Sequence, residues 1–104
     1  HYAPNTTLQL IQTEQLATDI AALVPVGEKW AMLVFQAPDF KPEDSVHWYQ
    51  VSDQAGQYAH ELYALLRRLD TLDYDRICVQ ALPQDTQWEA LNDRLQRAAA
   101  AFEA

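Results

Sequence analysis

Residues 76–82 read Arg-Ile-Cys-Val-Gln-Ala-Leu, a run too apolar and β-branched for a strand with one wet face. It is predicted to be a strand covered on both sides, and it lies between two amphipathic helices. Ahead of it, Tyr58, Leu62, Leu65, Leu66 and Leu69 recur at the 3.6-residue period, which puts one apolar stripe on a helix over 53–69. Arg67 and Arg68 fall in the last turn, where positive charge complements the helix dipole. An acidic turn, 70–75, joins that helix to the strand, and Pro83 ends the strand. Thr86 with Glu89 three residues on has the capping-box pattern and predicts a last helix over 87–102.

The remaining elements are laid around this helix–strand–helix unit. Residues 7–11 alternate weakly and predict a first strand. Thr13 is positioned to cap a helix over 14–24, with Leu16, Ile20, Leu23 and Val24 facing inward until Pro25 and Gly27 stop it. Residues 30–35 (WAMLVF) predict a second buried strand, 37–44 a loop with two prolines, and 46–51 a third strand. Ser52 or Asp53 is expected to cap the central helix. The order β-α-β-β-α-β-α argues for an α/β fold: a three-layer Rossmann-like domain with a mainly parallel sheet of about four to five strands flanked by helices. One connection resists this scheme. Parallel neighbours need a crossover of about a dozen residues, and the segment between the second and third strands is short, so the third strand is expected to run antiparallel or to sit at an edge.

Composition restricts the function classes. At 104 residues and 49% hydrophobic, the chain has material for one modest core. No apolar run approaches the roughly 20 residues of a membrane span, and no signal-peptide pattern stands at the front. The net charge of -8 is spread evenly. Two lysines against six acids over 1–52 give -4, and five arginines against nine acids over 53–104 give -4. Such a surface repels a phosphate backbone, so direct nucleic-acid binding is not expected. One cysteine permits no internal disulfide and fits a reducing cytoplasm. The chain begins at His1 and not at Met, which reads as a processed start or as a piece of a longer protein.

No catalytic constellation emerges. Gly27 and Gly56 are the two glycines, too few for a dinucleotide loop or a P-loop. His60-Glu61 opens like a zinc-protease helix, but Ala64 stands where the second ligand belongs, and His60 is read as a surface helix residue. Cys78, between Ile77 and Val79, is read as core. The serines, Ser45 and Ser52, lie in no nucleophile turn. Trp30, Trp48 and Trp88 could form a stacking platform, but their places in strands and at a helix start favour core packing. Asp93 and Arg97 are spaced to pair along a helix. Asn92 and Arg94 flank the stripe Trp88, Leu91, Leu95, and two readings stand for them: a polar tie to the neighbouring strand end, or contact with a ligand. With Ser52 and Asp53 they are the candidate polar-cleft or interdomain contacts.

Three segments carry a resemblance. His1-Tyr2-Ala3-Pro4 looks like the interdomain linker motif His-Tyr-Ser/Ala-Pro of the two-domain threonylcarbamoyl-AMP synthases. Residues 58–70 (YAHELYALLRRLD) are similar to that family's Tyr-Ala-x-x-Leu-(Tyr/Phe)-x-x-Leu-Arg-x-Leu-Asp, and residues 91–99 (LNDRLQRAA) to its closing Asn-Asp-Arg-Leu-x-Arg-Ala-Ala. The order and spacing agree over essentially the whole chain. Departures occur at Asp73, where the family commonly has Gly, at Gln80, where it has Glu, and over 84–88, where it has a glycine-containing loop. The resemblance implies that residues 1–5 are a linker and 6–104 the C-terminal accessory domain of an enzyme that condenses threonine, bicarbonate and ATP. The product would be threonylcarbamoyl-AMP, for a tRNA modification, with release of pyrophosphate. It implies a partner, the catalytic YrdC-like domain of the same chain, which would hold ATP with Mg2+. No cofactor is expected in this segment, and the location is expected to be cytoplasmic. His1, Tyr2 and Pro4 would gate the active-site mouth. A free-standing small-molecule-binding module and a protein-interaction domain are the alternatives from other classes.

Overall fold

The computed structural model describes residues 5–17, 20–37 and 44–102. His1, Tyr2 and Pro4, most of the 37–44 loop and the last two residues lie outside them. Four strands form one all-parallel sheet: β1 (Thr7–Ile11), β2 (Trp30–Val34), β3 (Val46–Gln50) and β4 (Arg76–Gln80), in the order β1-β4-β2-β3. Two α-helices, α1 (Ala55–Leu69) and α2 (Glu89–Ala100), follow β3 and β4. The fold is α/β, as the element order implies.

β4 lies inside the sheet, and its side chains alternate between two cores, which is why its sequence lacks a polar face. Ile77 and Val79 point to the helical face with Leu8, Ala31 and Leu33, where Tyr58, Leu62, Leu66 and Leu69 of α1 and Leu91, Leu95 and Ala99 of α2 cover them. Cys78 points the other way, with Ile11, Trp30, Met32, Val34 and Val46. Each fully buried Leu or Ile side chain contributes about 1.5–3 kcal/mol of transfer free energy. The stripe read from the α1 sequence is thus the contact surface, with Leu65 half-buried at its margin. Trp30 and Trp88 are core residues and Trp48 is half-buried against the second core, so the tryptophans form no exposed platform.

Two local expectations are corrected. The segment over 14–24 is not an α-helix: two 3-10 turns, Thr13–Ala17 and Ile20–Leu23, stand in its place. The Thr13 hydroxyl, expected to cap, instead accepts from Gln80 Nε2 at 3.2 Å, and the Gln15 side chain accepts from the Gln12 amide at 2.8 Å. A short segment without a cap gains little from α-helical propagation, and 3-10 bonding suffices to bury Ile20 while Leu23 stays 59% exposed. The helical N-caps also differ. Gln54, with no side-chain bond to the helix, occupies the α1 cap position, and Asp85, not Thr86, caps the turn Thr86–Trp88 that leads into α2 by accepting from the Gln87 amide at 3.2 Å. The third strand, expected to run antiparallel or to sit at an edge, does the second: β3 is the edge strand and runs parallel to β2. The ladder is extended at both ends, by the Trp30 amide on the Ser45 carbonyl at 2.9 Å and the Val51 amide on the Val34 carbonyl at 2.8 Å.

Asp73 has φ 60°, the left-handed conformation that a glycine would take at no steric cost. Asp is among the few residues that visit it, so the turn into β4 keeps its shape without the glycine.

Candidate functional site

Because the sheet is all parallel, one end of the domain gathers the starts of the strands and the other their ends. At the starting end, Asp70 closes α1 and turns its carboxylate on the residues entering β1. The Asn5 amide donates to Oδ2 at 2.9 Å, and the Thr6 amide and hydroxyl donate to Oδ1 at 2.8 and 2.6 Å. These three charge-assisted bonds fix the chain where it enters the domain. The sequence reading took Asp70 only as part of an acidic turn. Its one signal was its place as the last residue of the 58–70 motif. Towards the opposite edge of the sheet, Tyr74, buried just ahead of β4, bonds both His47 Nδ1 and the Tyr49 hydroxyl of β3 at 2.6 Å. Burial, then the Tyr49 hydroxyl, pushes the Tyr74 phenol up, with Arg68 opposing. The group is a polar pin holding the edge strand to the α1–β4 turn.

At the carboxyl ends, Gln80 bridges two strand exits. Its Oε1 accepts from the Phe35 amide at 2.9 Å while its Nε2 reaches Thr13. Phe35, Tyr58 and Trp88 pack edge-on or tilted, with centroids 5.2–5.9 Å apart, and join β2 to the beginnings of both helices. The Tyr58 hydroxyl is buried there with no partner, and its phenol is pushed up by burial.

The four candidate contacts of this rim fall into two separate places. Ser52 Oγ accepts from the Gln54 amide and Asp53 Oδ1 from Gln54 Nε2, both at 3.0 Å, in the turn before α1. Asn92 Nδ2 donates to the Pro83 carbonyl at 3.0 Å, which is the tie between last helix and strand end. Arg94 is exposed, one turn from the Asp93–Arg97 pair at 3.1 Å. Among the described residues, the bonds of Ser52 and Asp53 run to Gln54 and that of Asn92 to Pro83. His1, Tyr2 and Pro4 lie outside the described residues.

Among the described residues no three His, Cys, Asp or Glu side chains gather to hold a metal ion. The glycines offer no phosphate cradle. A Cβ at Gly56 or Gly27 would meet nothing within 4 Å, whereas a cradle brings backbone close around its ligand. Cys78 is buried, with its thiol pushed up to about 12 by desolvation, partly offset by Arg76, which is the opposite of an activated nucleophile. Among the described residues no helix is long and apolar enough to cross a membrane.

What the fold and its sites define is a small α/β domain with a four-stranded, all-parallel sheet, held at its entrance and without a gathered catalytic set among the described residues. Residues 1–100 match the family of threonylcarbamoyl-AMP synthase C-terminal domains. The chain belongs to that family. No curated protein matches it.

Proposed function

We propose that this chain serves as the accessory domain of a threonylcarbamoyl-AMP synthase and follows a catalytic YrdC-like domain in the same polypeptide. In this reading the catalytic domain binds ATP with Mg2+, threonine and bicarbonate, and forms threonylcarbamoyl-AMP with release of pyrophosphate. This is a nucleotidyl transfer that supplies tRNA threonylcarbamoyladenosine formation in the cytoplasm. The present domain contributes no reacting group and no nucleic-acid contact. It holds the interdomain linker, residues 1–5, so that His1, Tyr2 and Pro4 lie over the active-site mouth.

The observation that carries this reading is the grip of Asp70 on Asn5 and Thr6. A plain tether gains nothing from a fixed exit. A gate does, because a segment held at its root passes movement of the domain to its tip, and Pro4 restricts the backbone between them. At the tip, Tyr2 would offer a flat ring to exclude water and a hydroxyl to bond a carboxylate or carbamate oxygen. The test is a pyrophosphate-release assay with ATP, threonine and bicarbonate. The 104-residue chain alone is expected to give no turnover, and turnover by it would refute the accessory reading.

A further inference from the structure

Among the described residues three large hydrophobic side chains are exposed: Leu23, Val26 and Leu72, with Val26 fully in solvent. One such residue alone would need no explanation. These three share a place. Leu23 and Val26 lie in the segment leading into β2 and Leu72 in the turn leading into β4, and β2 and β4 are parallel neighbours. The two approaches are tied where they meet the sheet. The Lys29 amide donates to Asp75 Oδ2 and the Asp75 amide to the Lys29 carbonyl, both at 2.8 Å.

The two turns are built alike. The Glu28 amide donates to the Pro25 carbonyl at 3.0 Å, closing a tight turn around Val26 and Gly27. Gly27 has φ 88°, the positive value that a type II turn requires at its third position. Leu72 likewise stands directly ahead of Asp73 at φ 60°, and its amide donates to the Leu69 carbonyl at 3.1 Å. Turn residues are dominated by Gly, Pro, Asn, Asp and Ser. Here each fixed turn holds out an apolar side chain instead, and Lys29, Arg68, Asp73 and Asp75 are exposed in the same segments. An apolar centre with a charged rim is the makeup of a protein contact. Tips already held in a turn lose little freedom on docking.

The chain's entrance is at this same end. Asp70, two residues ahead of Leu72, holds Asn5 and Thr6. A domain joined ahead of them is tethered beside these turns, at an effective concentration that lets a small patch suffice. We propose that Val26 and Leu72, with Leu23 beside them, form the surface on which the preceding catalytic domain docks. This rests on the accessory reading above and gives that reading its contact surface. A second copy of the chain lacks the tether, and two copies at a net charge of -8 each repel one another.

The test compares amide hydrogen exchange in the two-domain chain and in the 104-residue chain. Exchange over 22–29 and 71–75 is expected to be about tenfold slower in the two-domain chain, with the turn at 83–87, at the opposite end, unchanged. Val26→Asp combined with Leu72→Asp should return both segments to the rates of the 104-residue chain without moving the unfolding midpoint of that chain. If the double variant does not fold, Val26→Ser decides, since it changes one fully exposed side chain and should speed exchange over 22–29 by about threefold. Equal exchange in the two chains, or protection that survives in a folded variant, overturns the docking surface even where the two-domain chain releases pyrophosphate. Protection of the 104-residue chain that grows with its own concentration assigns the patch to a second copy and also overturns it. A two-domain chain that releases no pyrophosphate overturns the accessory reading, and the docking surface falls with it.

Discussion

Thr6 gives both its amide and its hydroxyl to one oxygen of Asp70, at 2.8 and 2.6 Å, across 64 residues of sequence. The second carboxylate oxygen takes the Asn5 amide. One side chain at the end of α1 thereby fixes the path of the chain into β1, and the proposed gating role depends on that root being rigid. Replacing Asp70 by Ala leaves three donors without this acceptor. Hydrogen bonds to charged groups contribute about 1.5–3 kcal/mol in favourable settings, and partial exposure lets water replace some of them. Asp70→Ala is expected to lower unfolding free energy by about 2 kcal/mol in urea titration, with Asp70→Asn losing less. A midpoint equal to that of the parent chain would remove Asp70 as the anchor.

Tyr58 makes a prediction of opposite sign. Its ring is packed against Phe35 and Trp88, but its buried hydroxyl has no partner, so the group is desolvated without compensation. Tyr58→Phe keeps the ring and removes the uncompensated oxygen. Stability should stay level or rise by up to about 1 kcal/mol, measured by thermal or urea unfolding. A loss of about 1 kcal/mol or more would mean that the hydroxyl does have a partner in solution.

Cys78 sets a dependence on alkaline pH. Burial raises its folded-state pKa from the ordinary 9.0 to about 12, so between these values the unfolded chain gives up the thiol proton and the folded chain keeps it. The associated stability is fully present below about pH 9 and is lost as pH climbs towards about 12. Comparing unfolding free energy from pH 8 to 10.5 for the parent and Cys78→Ala isolates this contribution: the fall with pH should be shallower in the variant. At pH 8 the folded parent should also resist iodoacetamide and react once unfolded. Rapid labelling of folded protein would contradict the burial.

How much of this was legible beforehand depends on the range of the interactions. The α1 stripe and the runs in β2 and β4 were readable because burial on one or two faces writes a period into consecutive residues. The 14–24 segment misled because apolar spacing of three to four residues suits α and 3-10 turns alike; what separates them is that Thr13 is drawn to Gln80, 67 residues away. The parallel direction of β3 was hidden because the connection read as short, although residues 35–45 come close to the crossover of about a dozen that parallel neighbours need. Asn92 could be narrowed to two readings, and its Nδ2 makes the bond to the Pro83 carbonyl that the polar tie requires. Asp70, Gln80 and Tyr74 act through partners distant in sequence, so no local pattern announced them. Only the family motif marked Asp70, and it did so without its role.

The most direct test of the account uses the full two-domain chain and measures pyrophosphate release with ATP, threonine and bicarbonate for the parent, Tyr2→Ala and Gln57→Ala. Gln57 is an exposed α1 residue whose side chain donates to Glu61, and it controls for substitution in this domain as such. If residues 1–5 gate the active site from a root fixed by Asp70, Tyr2→Ala lowers the rate by about tenfold or more with an unchanged unfolding midpoint, and Gln57→Ala stays within about twofold of the parent. Equal rates for all three proteins would contradict the gate and leave the segment a tether.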